Sequence, residues 1–279
     1  MFRTLIDPDA LLVLAEEDRL ALFDCRFNLA DPAAGRAAFE AGHIPGAVYL
    51  DLEHDLSAPA SAEGGRHPLP DREAFAARLR ALGVQAGDQV VVYDDVGGSL
   101  AARAWWMLRW LGHEAVALLD GGLKAWADSG YVLEQGPGQR RPEGTIVAGE
   151  PLVGTVDTAD ILAAIGTDRL LVIDARTAAR FAGEPHPLDT ASGHIPGARN
   201  RFFGDNLAAD GRFKPAASLR AEFEAVLDGV SSAKVALQCG SGVTACHDLL
   251  AMEVAGLSGA RLYPGSWSAW TANSAHPVA

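Results

Sequence analysis

Four blocks of this 279-residue chain occur twice, in the same order and at nearly constant spacing. Residues 20–26, L-A-L-F-D-C-R, answer to 170–176, L-L-V-I-D-A-R, and G-H-I-P-G-A at 42–47 recurs unchanged at 193–198. V-V-V-Y-D at 90–94 matches V-A-L-Q-C at 235–239, and L-L-D-G-G-L-K-A-W at 118–126 matches L-Y-P-G-S-W-S-A-W at 262–270. The offsets lie between 144 and 151 residues, so the chain carries two copies of one fold. Each copy alternates short apolar strands with helical stretches, which predicts an α/β fold with a mostly parallel sheet flanked by helices. In the first copy the pattern predicts strands near 21–24, 48–49, 89–93 and 115–119, with helices at 8–16, 72–82, 100–111 and 122–128. In the second it predicts strands near 170–174, 234–238 and 260–263, with helices near 158–165, 218–226, 244–255 and 266–272.

Between the copies, residues 134–151 are rich in Gly and Pro and lack periodicity, as an inter-domain linker laid over a surface would be. The expected division is a first domain over 1–135, a linker over 136–152 and a second domain over 153–279. A net charge of -13 argues against nucleic acid or an anionic membrane as a general partner, while leaving room for a local basic pocket. No apolar run is long enough to span a bilayer, and the start, M-F-R-T-L-I-D-P-D, shows no signal-peptide core. Three cysteines (Cys25, Cys239 and Cys246) without metal-type spacing fit a reducing, cytoplasmic compartment. No metal or organic cofactor is implied.

The chemistry concentrates at residues 234–247, K-V-A-L-Q-C-G-S-G-V-T-A-C-H. A buried strand ends at Cys239, Gly240 and Gly242 suit a tight loop, and a helix begins after Thr244, its expected N-cap. Such a strand-to-helix loop favours a thiolate, because amide dipoles and a helix N-terminus stabilise negative charge. The first copy has Asp94 where the second has Cys239. A scaffold needing that cysteine for packing would repeat it or replace it with a small apolar residue. One active site is therefore expected, in the second copy. Arg176 has a counterpart in Arg26, and His43 in His194, which marks all four as structural.

With these motifs in view, the chain resembles the two-domain rhodanese-type sulfurtransferases. The doubled G-H-I-P-G-A, the D-G-G and P-G-S-W signatures and the C-G-S-G-V-T loop carry the likeness. The loop is more similar to that of 3-mercaptopyruvate sulfurtransferases than to thiosulfate sulfurtransferases, which usually carry basic residues just after the cysteine. The resemblance implies tandem rhodanese-like domains and double displacement: Cys239 takes a sulfur from a small anionic donor, then passes it to a nucleophilic acceptor. That acceptor would be thioredoxin, a small thiol or cyanide. The resemblance also implies that Arg180 grips the donor's acidic group, beside the loop residues Gly240, Gly242, Val243 and Thr244. Ser241, His67 and Glu53 align with a Ser–His–Asp proton relay, with glutamate replacing aspartate. The family's second donor-binding arginine has no counterpart, since its aligned position holds Leu188.

Alternative readings are thiosulfate as the preferred donor, or a persulfide carrier without turnover. Cysteine-loop phosphatase chemistry needs an arginine closing the loop, and none follows Cys239 until Arg261.

Overall fold

The computed structural model describes residues 1–17, 19–139 and 141–279. Residue 140, inside the expected linker, lies outside the described residues. The chain divides into two compact units. One comprises Met1–Ser57, Pro70–Leu152 and Ala209–Arg212; the other comprises Ala58–Leu69, Val153–Ala208 and Phe213–Ala279.

The first unit runs β1 (Leu5–Ile6), α1 (Pro8–Leu14), β2 (Leu20–Asp24), α2 (Pro32–Ala41), β3 (Val48–Tyr49), α3 (Arg72–Ala81), β4 (Gln89–Tyr93), α4 (Ala101–Trp110), β5 (Val116–Leu119) and α5 (Gly122–Asp128). Its sheet is parallel, in the order β1-β5-β4-β2-β3. Each residue of β4 is buried, as a central parallel strand covered on both faces requires. The helices start where their caps dictate. Asp7 and Asp71 accept the amides of Ala10 and Ala74, and Pro8 and Pro32 occupy first-turn positions where no amide is needed.

The second unit runs α6 (Thr158–Ala164), β6 (Leu171–Asp174), α7 (Ala178–Phe181), β7 (Arg199–Asn200), α8 (Ala216–Leu227), β8 (Val235–Gln238), α9 (Ala245–Val254), β9 (Arg261–Leu262) and α10 (Ser266–Trp270). Its sheet is again parallel, ordered β7-β6-β8-β9. A capping box between Asp157 and Asp160 opens α6. Val156, Ile161, Val172, Ile195, Trp267 and Trp270 form the core on one side of this sheet.

The duplicated blocks perform the same physical tasks in both units. Arg26 donates bidentately to Asp24 and reaches the Gly42 carbonyl at 2.7 Å; Arg176 does the same to Asp174 and to Gly193 at 2.8 Å. His43 bonds the Phe39 carbonyl and stacks on that ring, and His194 does so with Phe181.

The compact units depart from a cut at the expected linker. Residues 134–139 and 141–152 have little regular structure but are ordered within the first unit: Gly144 and Thr145 donate to the Arg80 and Val84 carbonyls, and Leu152 to that of Arg109. Conversely, Ala58–Leu69 leaves the first half of the sequence and folds with the second unit.

Candidate active site

Cys239 follows directly on β8, whose apolar side chains are buried, and is itself 1 % exposed. The P-G-S-W block at the start of α10 braces it. The Cys239 amide donates to Ser266 Oγ at 3.1 Å, and that hydroxyl donates to the Tyr263 carbonyl at 2.9 Å. The Trp267 and Ser268 amides donate to the Cys239 and Gly240 carbonyls, each at 3.0 Å. Ser266 pays for this bridge with a φ of 51°, unusual outside glycine. The repeat explains the anomaly: the first copy has Gly122 at that position, with φ 58°.

The two glycines after the cysteine differ from the expectation that both serve backbone freedom. Gly242 has a φ of 79°, and a Cβ there would overlap the Pro264 carbonyl. Gly240 is not in the left-handed region. A Cβ on it would instead lie 2.9 Å from Arg66 Nη2 and 3.1 Å from Arg180 Nη2, so it makes room for two guanidinium groups. Thr244 occupies the N-cap position of α9, but its side chain makes no capping hydrogen bond. Trp267 is fully buried, with its indole N–H on the Ala191 carbonyl and Arg176 over its ring, and it belongs to the core.

Arg66 and His67 arrive on the Ala58–Leu69 segment. Ser61 and Gly65 pair in an antiparallel bridge, and Gly65, at φ 78°, packs so closely on Ser268 Oγ and the Gly265 carbonyl that a side chain would not fit. The Arg66 amide then donates to Ser268 Oγ at 3.1 Å. His67 and Ser241, both buried, share a hydrogen bond of 2.7 Å between Nδ1 and Oγ. Glu53, aligned as third member of that relay, is an exposed residue of the first unit, with its amide on Asp51 Oδ1. The geometry joins Ser241 to His67.

Arg180 projects from α7, and Asp189 accepts its Nε at 2.9 Å and its Nη2 at 2.6 Å. Asp189 also lies 3.6 Å from Arg176 Nη1. Sequence reading passed over Asp189. Its signal was its distance of nine residues from Arg180, a spacing that only the loop geometry makes meaningful. His186 is half-buried; burial and the nearby Arg180 lower its pKa, while Asp189 opposes them. Val243 is buried at the end of the loop.

The first copy shows what this kind of loop does to a side chain at the nucleophile's position. Asp94 accepts the amides of Val96 and Gly98 on one oxygen and of Leu100 and Ala101 on the other, at 2.7–3.0 Å. Burial pushes the Asp94 carboxyl above its ordinary pKa, and the amides pull it back. The loop is an anion cradle with its anion built in.

Asp248 on α9 is fully buried and accepts Asn206 Nδ2 at 2.6 Å. Burial drives its pKa up to about 7, against the pull of Asn206 and Arg201. A carboxyl raised from 3.8 favours the fold below about pH 4, and that contribution is lost as pH rises toward 7, then levels off. Asp248→Asn should therefore flatten the urea-unfolding stability profile of the protein between pH 4 and 7. The slope removed is worth roughly 4 kcal/mol at most. A variant profile parallel to the wild type would contradict this assignment.

Among the described residues, no group of three or more His, Cys, Asp or Glu side chains is placed to hold a metal ion, and no helix is long and apolar enough to cross a membrane.

Fold and site together define a tandem α/β protein with a cysteine loop in its second copy and a carboxylate loop in its first. Residues 7–129 and 157–273 each match the rhodanese-like domain. A Pseudomonas aeruginosa protein named as a probable 3-mercaptopyruvate sulfurtransferase is 48% identical over 95% of this chain and 94% of its own. A Mycobacterium tuberculosis relative named for thiosulfate sulfurtransferase activity, SseB, is 38% identical over 94% of this chain and 91% of its own. The crystal structure of SseA from Escherichia coli, described with the rhodanese fold of 3-mercaptopyruvate sulfotransferases, superposes with a TM-score of 0.80 at 35% identity, covering 96% of this chain and 100% of that one. The chain belongs to the rhodanese family, as a tandem of two such domains.

Proposed function

We propose that the protein is a 3-mercaptopyruvate sulfurtransferase that works through a persulfide on Cys239. The observation that carries this reading is the 2.7 Å bond between Ser241 and His67, two residues beyond the nucleophile. The names of the full-length relatives point to the same donor. In the first half-reaction the Cys239 thiolate attacks the donor's sulfur. The carbon–sulfur bond breaks, its electron pair stays on carbon, and the enolate of pyruvate departs from a newly formed S–S bond. A soft thiolate suits attack on sulfur. A loop of the kind that cradles the Asp94 carboxylate suits the negative charge that the persulfide later carries.

The departing enolate must gain a proton to become pyruvate. In this reading the Ser241 hydroxyl gives it and His67 resupplies the proton, supported by the hydrogen bond they share. Arg180, with its fork set by Asp189, lies over Gly240 and offers positive charge to the donor's carboxylate. In the second half-reaction an acceptor thiolate or cyanide attacks the outer sulfur and releases Cys239. Thioredoxin, a small thiol and cyanide are the proposed acceptors, and three free cysteines suit a reducing, cytoplasmic setting. The catalytic half is the proposed domain over 153–279, completed by His67 from the Ala58–Leu69 segment.

Donor choice and relay are tested together. Thiosulfate releases sulfite, which needs no proton to leave. Ser241→Ala should lower kcat for mercaptopyruvate by about 10²-fold or more and change thiosulfate turnover less than about threefold. Equal losses with both donors would remove the relay. A wild-type kcat/KM larger for thiosulfate than for mercaptopyruvate would overturn the donor assignment.

A further inference from the structure

The two guanidinium groups over Gly240 are not equivalent. Arg180 already spends Nε and Nη2 on both oxygens of Asp189, and Arg176 is held by Asp174 and faces Asp189 as well. Two carboxylates thus neutralise two of the three arginines around the loop. Arg66 makes no ion pair among the described residues. Its Nη1 donates to the Leu188 backbone carbonyl at 2.5 Å, and its Nη2 sits closest to the Gly240 Cβ position, at 2.9 Å. A donor carboxylate at Arg180 must share a fork that Asp189 occupies. At Arg66 it displaces no carboxylate and completes a charge-assisted hydrogen bond at a half-buried cation.

We propose that Arg66 is the specificity-determining residue that seats the α-keto acid carboxylate of the sulfur donor by direct hydrogen bond, with the Asp189-shared charge of Arg180 beside it, at the place where position 188 supplies only its backbone. The proposal rests on the mercaptopyruvate reading and deepens it. Partial burial lowers the Arg66 pKa, with Arg180 adding to the effect and the charges of Asp189 and Cys239 opposing it, as for a cation that lacks its own anion. Placement also couples recognition to chemistry. Arg66 directly precedes His67, and the tight Ser61–Gly65 turn, docked on Ser268, carries both. The carboxylate seat and the proton source for the enolate therefore share one short stretch of backbone. The carboxylate stays on Arg66 through the half-reaction, and no bond to it forms or breaks.

The test uses steady-state kinetics with mercaptopyruvate, and pyruvate as a sulfur-free competitive probe of the carboxylate seat. Arg66→Met should raise KM for the donor and Ki for pyruvate together, by about 10- to 100-fold, the loss of one charge-assisted hydrogen bond. The fall in kcat should be smaller than the rise in KM. Adding Leu188→Arg to Arg66→Met should recover much of both constants, because it returns a guanidinium to the same place. Arg66→Gln, which keeps a polar side chain, is read the same way if methionine disturbs the segment. Unchanged KM and Ki in either folded variant would overturn the proposal, as would a fall in kcat with pyruvate binding intact, which marks an effect through His67 alone. If the wild type itself turned over no mercaptopyruvate, the proposed function would fail instead, and pyruvate binding to wild type and variants would still judge Arg66.

Discussion

Cys239→Ser should lose sulfur transfer with every donor, by a factor on the order of 10⁴ or more, while melting within about 2 °C of the wild type. The kinetic loss follows from what the residue does. An alkoxide is not formed near neutral pH, and a hydroxyl is a poor nucleophile toward sulfur, so the first half-reaction has no attacking atom. The small structural effect follows from the way the loop is held. Cys239 is fixed through its backbone, by Ser266 Oγ on its amide and the Trp267 amide on its carbonyl, and serine keeps both bonds. Mass spectrometry after donor treatment gives the second readout. The wild type should gain one sulfur atom on the peptide bearing Cys239, and the variant none. Cys246, buried with its thiol 3.5 Å from the Gly242 carbonyl, is the internal control and should stay unmodified in both. A sulfur found there, or turnover retained by the serine variant, would refute the persulfide assignment.

The fold was legible because the chain states it twice. Long apolar strands such as β4 and β8 and capped helices such as α3 carry their own signals, and a second copy at constant offset turns each signal into a check on the other. What escaped was short or poorly patterned. β1 and β7 have two residues each, too few for any periodicity, and exist because a neighbouring strand offers them a ladder. Helix α2 is largely alanine, and its start is marked only by Asp31 and Pro32.

The site was legible in the same uneven way. Cys239 stood out against Asp94, and the Asp94 carboxylate with its four amides gives that contrast a physical meaning. Ser241 and His67 were paired only by resemblance, since 174 residues separate them and nothing local links a loop histidine to a distant serine. The placement of Ala58–Leu69 with the second unit supplies that link, and no composition shift announced it. Asp189 and Ser266 were silent because their work is to hold other groups: one sets the Arg180 fork, the other bridges Cys239 and Tyr263.

Gly242→Ala should cost both stability and catalysis, where Gly240→Ala costs little stability. At Gly242 two penalties add. The φ of 79° is unfavourable for any L side chain by about 1–2 kcal/mol, and the new methyl would overlap the Pro264 carbonyl, which is backbone and cannot rotate aside. Together these amount to roughly 2–4 kcal/mol, a fall in melting temperature of several degrees for units of this size. The loop can relieve the overlap only by moving away from residues 263–268, the segment that positions Cys239. A displacement of about 1 Å at a nucleophile is enough to lose on the order of 10²-fold in kcat. At Gly240 the new methyl meets only the ends of two arginine side chains, which can swing outward. That variant should keep its melting temperature within about 2 °C and show its effect in KM for the donor, because the displaced groups are the ones that bind it. Thermal unfolding and donor kinetics on the pair decide the matter. If Gly242→Ala kept the wild-type melting temperature and kcat, the strain assigned to that backbone would be wrong, and with it the account of how the loop holds its cysteine.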